Sequence, residues 1–233
     1  MKDSAAEAML KSGVSPLQLV CNKVLSCRDG RRAGTFTELR INSLELGTLC
    51  PAQYRVITNR NNQSLRLSSW AFQRVADISQ NREATEGWTS FYIPAKALMR
   101  DYLRKLLESQ SKKGSCDFSS LVAEVSSELL YEDAAEASEK MHRLRTEYGV
   151  RFLLSEFGDE FCPVLRLSSY PVDFVLLDPS ADSSQVAGVC ANIAHGRGIK
   201  VIERRQSKAA GAGSNTAADY YIQDKSGEEQ EVL

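Results

Sequence analysis

The chain has 233 residues, with 29 Lys and Arg against 30 Asp and Glu, 6 Cys, 6 Pro, 14 Gly and 42% hydrophobic residues. That length suits one large domain or two small ones, and the composition excludes a disordered, collagen-like or fibrous chain. A net charge of −1 leaves no global basic excess for holding a nucleic-acid polymer or an anionic membrane.

In chain order, residues 1–14 read as an N-terminal tail or short helix. The apolar segments 16–25 and 34–41 flank Arg28-Asp29-Gly30-Arg31, a hairpin turn signal. Residues 67–78 read as a helix. Residues 89–93 are strand-like, and Pro94 then opens a single helix with Leu98, Met99, Tyr102, Leu103, Leu106 and Leu107 on one stripe. A strand over 120–125 precedes Asp133-x-x-Glu136, a capping box opening a helix that Gly149 closes. Residues 150–154 form a nearly all-apolar strand, followed by a loop with a short helix and a strand over 172–178. Asp182-x-x-Gln185 caps a helix whose apolar face is Val186, Val189, Cys190, Ile193 and Ala194. Strands over 199–203 and 219–223 follow, and residues 226–233 read as a mobile C-terminal tail.

Strands without in–out alternation are buried on both faces, and strands separated by single helices run parallel. Four or five such units behind a hairpin point to a closed (β/α) barrel over residues 15–225, with an open doubly wound sheet as the competing architecture.

No apolar run approaches the ~20 residues that span a bilayer. Asp3 and Glu7 interrupt the start where a signal peptide needs a basic, then apolar, stretch. A cytoplasmic location is expected. Cys21, Cys27, Cys50, Cys116, Cys162 and Cys190 form no C-x-x-C pair, and neither His142 nor His195 lies at ligand spacing. The expectation is reduced, partly buried thiols, with no metal and no cofactor.

In a parallel barrel, chemistry gathers at the C-terminal ends of the strands. Those ends carry Phe36, Glu38 to Arg40, Tyr92, Glu124, Ser155, Glu156, Asp178, Glu203, Arg204 and Gln223. The carboxylates among them suit either a metal or acid–base site or solvated cap and rim positions. No G-x-S-x-G elbow or phosphate-binding G-x-x-x-x-G-K-[ST] loop occurs, and Gly211-Ala212-Gly213 lacks the third glycine of a dinucleotide site.

The order and spacing of these strand ends resemble the EAL domain of bacterial cyclic-di-GMP phosphodiesterases. The opening G-x-E-A-L-L-R of that family is similar to Gly34-Thr35-Phe36-Thr37-Glu38-Leu39-Arg40. Its V-N-L-S resembles Phe91-Tyr92-Ile93-Pro94, and its L-E-I-T-E resembles Ala123-Glu124-Val125-Ser126-Ser127. D-D-F-G-T-G is similar to Ser155-Glu156-Phe157-Gly158-Asp159-Glu160, and P-V-D-x-V-K-I-D to the stretch from Pro171 to Asp178. The late G-x-x-V-I-A-E-G-V-E falls on 198–207, and D-Y-x-Q-G is echoed by Tyr221-Ile222-Gln223-Asp224. The resemblance runs from about residue 16 to 225. It implies an EAL-type (β/α)8 TIM-like barrel whose first strand runs antiparallel.

It also implies a site in which two divalent metal ions activate water, and such hard cations need carboxylate or amide oxygens. Here Phe36 stands for the Glu, Tyr92 for the Asn, Ser155 for the first Asp, Leu176 for the Lys and Arg204 for the late Glu, while Glu124 and the longer Glu156 keep a carboxylate. The residues that could still face a nucleotide are Arg40, Glu124, Asp178 and Gln223.

The expectation is therefore a catalytically inactive EAL-like regulatory protein with no catalytic residue and no metal, acting through an unidentified protein partner. A chain of this length holds one such barrel and no input or cyclase domain. A metal-independent cyclic-di-GMP receptor is the alternative. An active phosphodiesterase rebuilt on Glu124, Glu156 and Asp178 ranks below both. A homodimer is compatible with each reading.

Overall fold

The computed structural model describes residues 16–60, 63–79, 87–114, 116–159, 162–181, 184–206, 217–224 and 231–232. The expectations placed on residues 1–14, on Asp182 and on 211–213 lie outside these.

The fold begins with the hairpin that the turn signal marks. β1 (Leu17–Ser26) pairs antiparallel with β2 (Arg32–Ser43) from Leu17 opposite Ile41 to Leu25 opposite Arg32. Gly30 adopts φ 69° in the turn, a left-handed value that only glycine takes at no steric cost. β3 (Gly47–Leu49) extends β2, and the helices α1 (Pro51–Arg60) and α2 (Gln63–Ser79) follow. The remaining strands are β4 (Trp88–Tyr92), β5 (Leu121–Ser126), β6 (Arg151–Phe157), β7 (Phe174–Leu177), β8 (Lys200–Gln206), β9 (Tyr220–Asp224) and β10 (Glu231–Val232). Between them lie α3 (Ala95–Met99), α4 (Tyr102–Ser111), α5 (Ala134–Tyr148) and α6 (Ser184–His195).

From β2 through β4 to β9 each neighbour is parallel. β1 closes the circle, antiparallel to β2 on one side and to β9 on the other. The result is an eight-stranded (β/α)8 TIM-like barrel with an antiparallel first strand. The open doubly wound sheet is excluded, because its two edges would have to stay apart.

Two apolar layers hold the barrel. Phe36, Trp88, Val122, Leu153, Phe174, Leu176, Ile202 and Ile222 fill its interior. The outward side chains pack under the helices, with Phe72 of α2 edge-on to Phe91 of β4 at 5.1 Å and Leu103, Leu107, Met141 and Leu144 fully buried or nearly so. Polar contacts fasten the ends of the elements. The Asp173 carboxylate accepts from Arg145 at 2.6 Å and from the Phe152 amide at 2.8 Å, fixing β6 and β7 to α5. Asp133 caps α5 by accepting from the Glu136 amide at 2.8 Å, and Gly149 ends that helix at φ 75°.

The structure departs from the sequence reading in four places. The stripe read as one helix is two, α3 and α4, broken at Asp101, which takes φ 56°. Its carboxylate accepts from Lys140 at 2.9 Å and from Arg143 at 3.0 Å, so α5 draws this residue out of the helical path. The expected face of α6 holds at Cys190, Ile193 and Ala194 but not at its two valines. Ala187, Cys190, Ala191 and Ala194 are buried, whereas Val186 and Val189 are 44% and 57% exposed. β3 and α1 were not expected. Finally, residues 231–232, assigned to a mobile tail, pair with β1 as β10.

All six cysteines are free thiols; Cys190 is buried, and Cys27 and Cys50 are exposed. Among the described residues no helix is long and apolar enough to cross a membrane.

Candidate functional site

Period-two alternation decides which side chains reach the barrel mouth. Phe36 belongs to the interior apolar layer, so Glu38 and Arg40 follow it on the same face of β2. Phe36 is 1% exposed and fills the interior. The Arg204 guanidinium stands 5.0 Å from the centre of the Phe36 ring and donates to Glu38 at 2.7 Å. The other Glu38 oxygen accepts from Asn22 of β1 at 3.4 Å. Arg204 therefore meets a carboxylate carried two residues beyond Phe36, across the mouth.

A second arginine, from a helix that the sequence did not reveal, occupies the opposite side. Arg55 of α1 donates to Glu124 at 3.1 Å and lies 3.7 Å from a Glu156 oxygen. Its guanidinium covers the Tyr92 ring at 3.6 Å from the centroid. The pair is buried, with side chains 14% and 1% exposed for Arg55 and Glu124. Burial works against the Arg55 charge, yet the Glu124 carboxylate, with smaller contributions from Tyr92, Tyr54 and Glu156, raises its pKa above the ordinary value. α1 is held in place by Tyr54, whose hydroxyl donates to the Leu39 carbonyl at 2.7 Å. Burial pushes the Tyr54 and Tyr92 phenols up, so both stay protonated donors.

Strand register brings the other substituted positions together. Tyr92 is opposite Glu124, and Ser126 is opposite Ser155. The second Glu124 oxygen and the Ser126 and Ser155 hydroxyls are buried without a hydrogen-bond partner. Glu156 follows with a left-handed φ of 60°, which swings its carboxylate toward Arg55. Burial raises the Glu156 pKa, and Arg55 only partly opposes that. Leu176 is 4% exposed in the interior layer, where a lysine could not stay charged without a partner.

One expected nucleotide-facing residue is placed elsewhere. Ile222 packs inside the barrel, so Gln223 points outward; it is exposed, opposite Arg205 in the register. Asp178 stays at the strand end, near enough to Glu156 to act on it, with one carboxylate oxygen accepting from the Ser180 amide and hydroxyl in the turn after β7. Glu203 likewise faces outward and accepts from Arg205. Arg40, Glu124 and Asp178 remain at the mouth.

These residues do not fit a pair of divalent metal ions. The two carboxylates that converge, Glu124 and Glu156, converge on the Arg55 guanidinium, and Phe36, Tyr92 and Leu176 offer no carboxylate or amide oxygen to a hard cation. Among the described residues, no group of three or more His, Cys, Asp or Glu side chains is placed to hold a metal. Arg55 lay beyond sequence reasoning because α1 is polar overall and carries no periodic apolar stripe. The available signal was the helix start at Pro51, with the Gln53 side chain accepting from the Cys50 amide at 2.7 Å.

Comparison with known proteins places this geometry. The sequence pattern of the EAL domain matches residues 19–202. An EAL domain protein from Listeria monocytogenes superposes with a TM-score of 0.74 at 15% identity, covering 96% of this chain and 91% of that one. The PaMucR phosphodiesterase in complex with c-di-GMP gives 0.71 at 14% identity, covering 90% and 94%. The FimX EAL domain of Pseudomonas aeruginosa bound to c-di-GMP gives 0.69 at 14% identity, covering 95% and 93%. A search of the curated proteins finds no match.

Proposed function

The chain belongs to the EAL domain family, and from that premise we propose that it is a catalytically inactive member acting as a regulatory protein through contact with another protein. One observation carries the reading: Arg55 holds both carboxylates that converge at the barrel mouth. Hydrolysis of a phosphodiester by metal-activated water needs ions that supply the nucleophile and absorb the developing charge, each worth several kcal/mol of barrier. A guanidinium can neutralise Glu124 and Glu156, but it neither lowers the pKa of a bound water nor leaves room for one. A third carboxylate at the mouth, Glu38 of β2, is taken by Arg204, and Phe36, two residues before it on the same face, fills the barrel interior.

The scaffold, by contrast, is kept. The Asp173 staple, the closed strand order and the apolar interior are those of a folded barrel. A stable barrel with its mouth neutralised from within is suited to presenting a surface.

Calorimetric titration with cyclic-di-GMP, with and without Mn²⁺, tests the reading. No saturable heat is expected in either condition. A 1:1 isotherm without metal would replace this reading with that of a cyclic-di-GMP receptor, and Arg40→Ala should then abolish it. An isotherm appearing only with Mn²⁺ would contradict the assignment of Arg55 as the occupant of the carboxylates.

A further inference from the structure

The end of the barrel away from the mouth carries a cation with no role in the site described above. Arg151 opens β6 two residues before Leu153, which packs in the interior, so its side chain enters the barrel at the N-terminal ends of the strands. Trp88, Phe174 and Tyr220 form an aromatic run there, with successive ring centroids 5.0 and 6.4 Å apart. The Arg151 guanidinium stands 5.6 Å from the centre of the Phe174 ring. Lys200 lies opposite Phe174 in the β7–β8 register. Tyr220 is near enough to bear on the charge of both Arg151 and Lys200.

Arg151 lacks a partner. Among the described residues it makes no hydrogen bond or ion pair, although it is half-buried. Its nitrogens are not sealed in, unlike the orphaned atoms at the mouth, and stay open to solvent. Burial holds its pKa below the ordinary arginine value, with the Asp173 carboxylate opposing. The acids on this end are already engaged. Asp173 accepts from Arg145 and the Phe152 amide, and Asp219 is met by Lys200, the Val201 amide and His195. Lys200 is 52% exposed and places one of its three donors on Asp219. The Tyr220 hydroxyl has no hydrogen-bond partner among the described residues.

Arg151, Lys200 and Tyr220 thus all offer donors, and two of them are cationic, which is the chemistry that holds an oxyanion. They come from three strands, β6, β8 and β9, an arrangement that suits a tetrahedral anion better than a planar carboxylate. Stability does not account for Arg151, because a half-buried charge without a partner costs free energy. We propose that the N-terminal end of the barrel is a binding site for a phosphate or phosphoryl group, held by the Arg151 fork together with Lys200 and Tyr220. It lies at the opposite end from the Arg55 cluster and is independent of what the mouth binds.

Titration of the full chain with inorganic phosphate, at constant ionic strength against sodium chloride and followed by the arginine side-chain nitrogen resonances, tests this. The Arg151 Nε resonance should shift saturably with a midpoint on the order of 1 mM, as a few charge-assisted hydrogen bonds provide. Phosphate should also raise the thermal midpoint. Arg151→Gln should lose that thermal response while melting in chloride no lower than the wild type. Arg151→Lys, which keeps the charge and loses the fork, and Tyr220→Phe should each raise the phosphate midpoint severalfold. Arg31→Gln, at a position 88% exposed, should leave it unchanged. A shift that does not saturate by roughly 50 mM, or that sodium chloride alone reproduces, would mean an adventitious ion only and would overturn the proposal. So would a thermal response that survives Arg151→Gln. A lower melting point of Arg151→Gln in chloride would make Arg151 a structural plug of the barrel and overturn it as well.

Discussion

Arg55 is the residue on which the site turns. It is buried against Glu124 and stacked on Tyr92, so removing it leaves a buried carboxylate without a partner. Arg55→Ala should destabilise the protein by about 3–5 kcal/mol, the usual cost of breaking a buried pair from one side. The double variant Arg55→Met with Glu124→Leu should recover most of that loss. Urea denaturation midpoints check both, and a near-neutral Arg55→Ala would show that the pair does not form. Glu156 makes a pH-dependent contribution beside it. Burial raises its pKa, with Arg55 opposing. A raised carboxyl adds stability that is fully present below its unfolded pKa and is lost as pH rises through the folded value. Glu156→Gln should therefore raise the thermal midpoint at pH 7 and flatten the curve between acid and neutral pH. The Glu156 side chain is 42% exposed, so the effect is modest, and an unchanged pH profile would mean that Arg55 fully offsets its partial burial.

At the scale of elements, what the sequence revealed and what it hid have separate physical causes. The hairpin, the α5 caps at Asp133 and Gly149, and the apolar strands were legible because each rests on a local rule: turn chemistry, capping or continuous burial. α1 was not, since a polar helix positioned by one tyrosine hydroxyl and one ion pair has no periodic stripe. The break at Asp101 depends on Lys140 and Arg143, about 40 residues away in sequence, and no local pattern contains it. The face of α6 was legible at Cys190, Ile193 and Ala194 but not at Ala187 and Ala191, which hydropathy ranks below the exposed Val186 and Val189. Gly34 shows how a glycine can be fixed by a strand rather than a turn. It lies opposite Trp88 in the β2–β4 pair, and a Cβ there would stand 2.5 Å from the indole and 2.6 Å from the Trp88 carbonyl oxygen. Gly34→Ala should cost about 1–3 kcal/mol as an overpacked site, read as a lower denaturation midpoint; wild-type stability would mean that β2 and β4 can part at that end without loss.

For the molecule as a whole, the near-equality of acidic and basic residues has a local counterpart. Glu38 is matched by Arg204, and Glu124 with Glu156 by Arg55. The sequence named the substituted positions Phe36, Tyr92, Ser155 and Leu176, which carry the loss of ligands. It named Arg204 only as a substituted position and did not name Arg55, because the neutralising contacts join β8 to β2 and α1 to β5 across the closed barrel. The account's central claim is that this barrel no longer hydrolyses a cyclic dinucleotide. The direct measurement is prolonged incubation of cyclic-di-GMP with the protein and excess Mn²⁺, followed chromatographically for the linear product. No product above the protein-free control is expected, either from the natural chain or from Phe36→Glu, which leaves Tyr92, Ser155, Leu176 and Arg55 unchanged. Multiple turnovers that disappear in Glu124→Ala would contradict it.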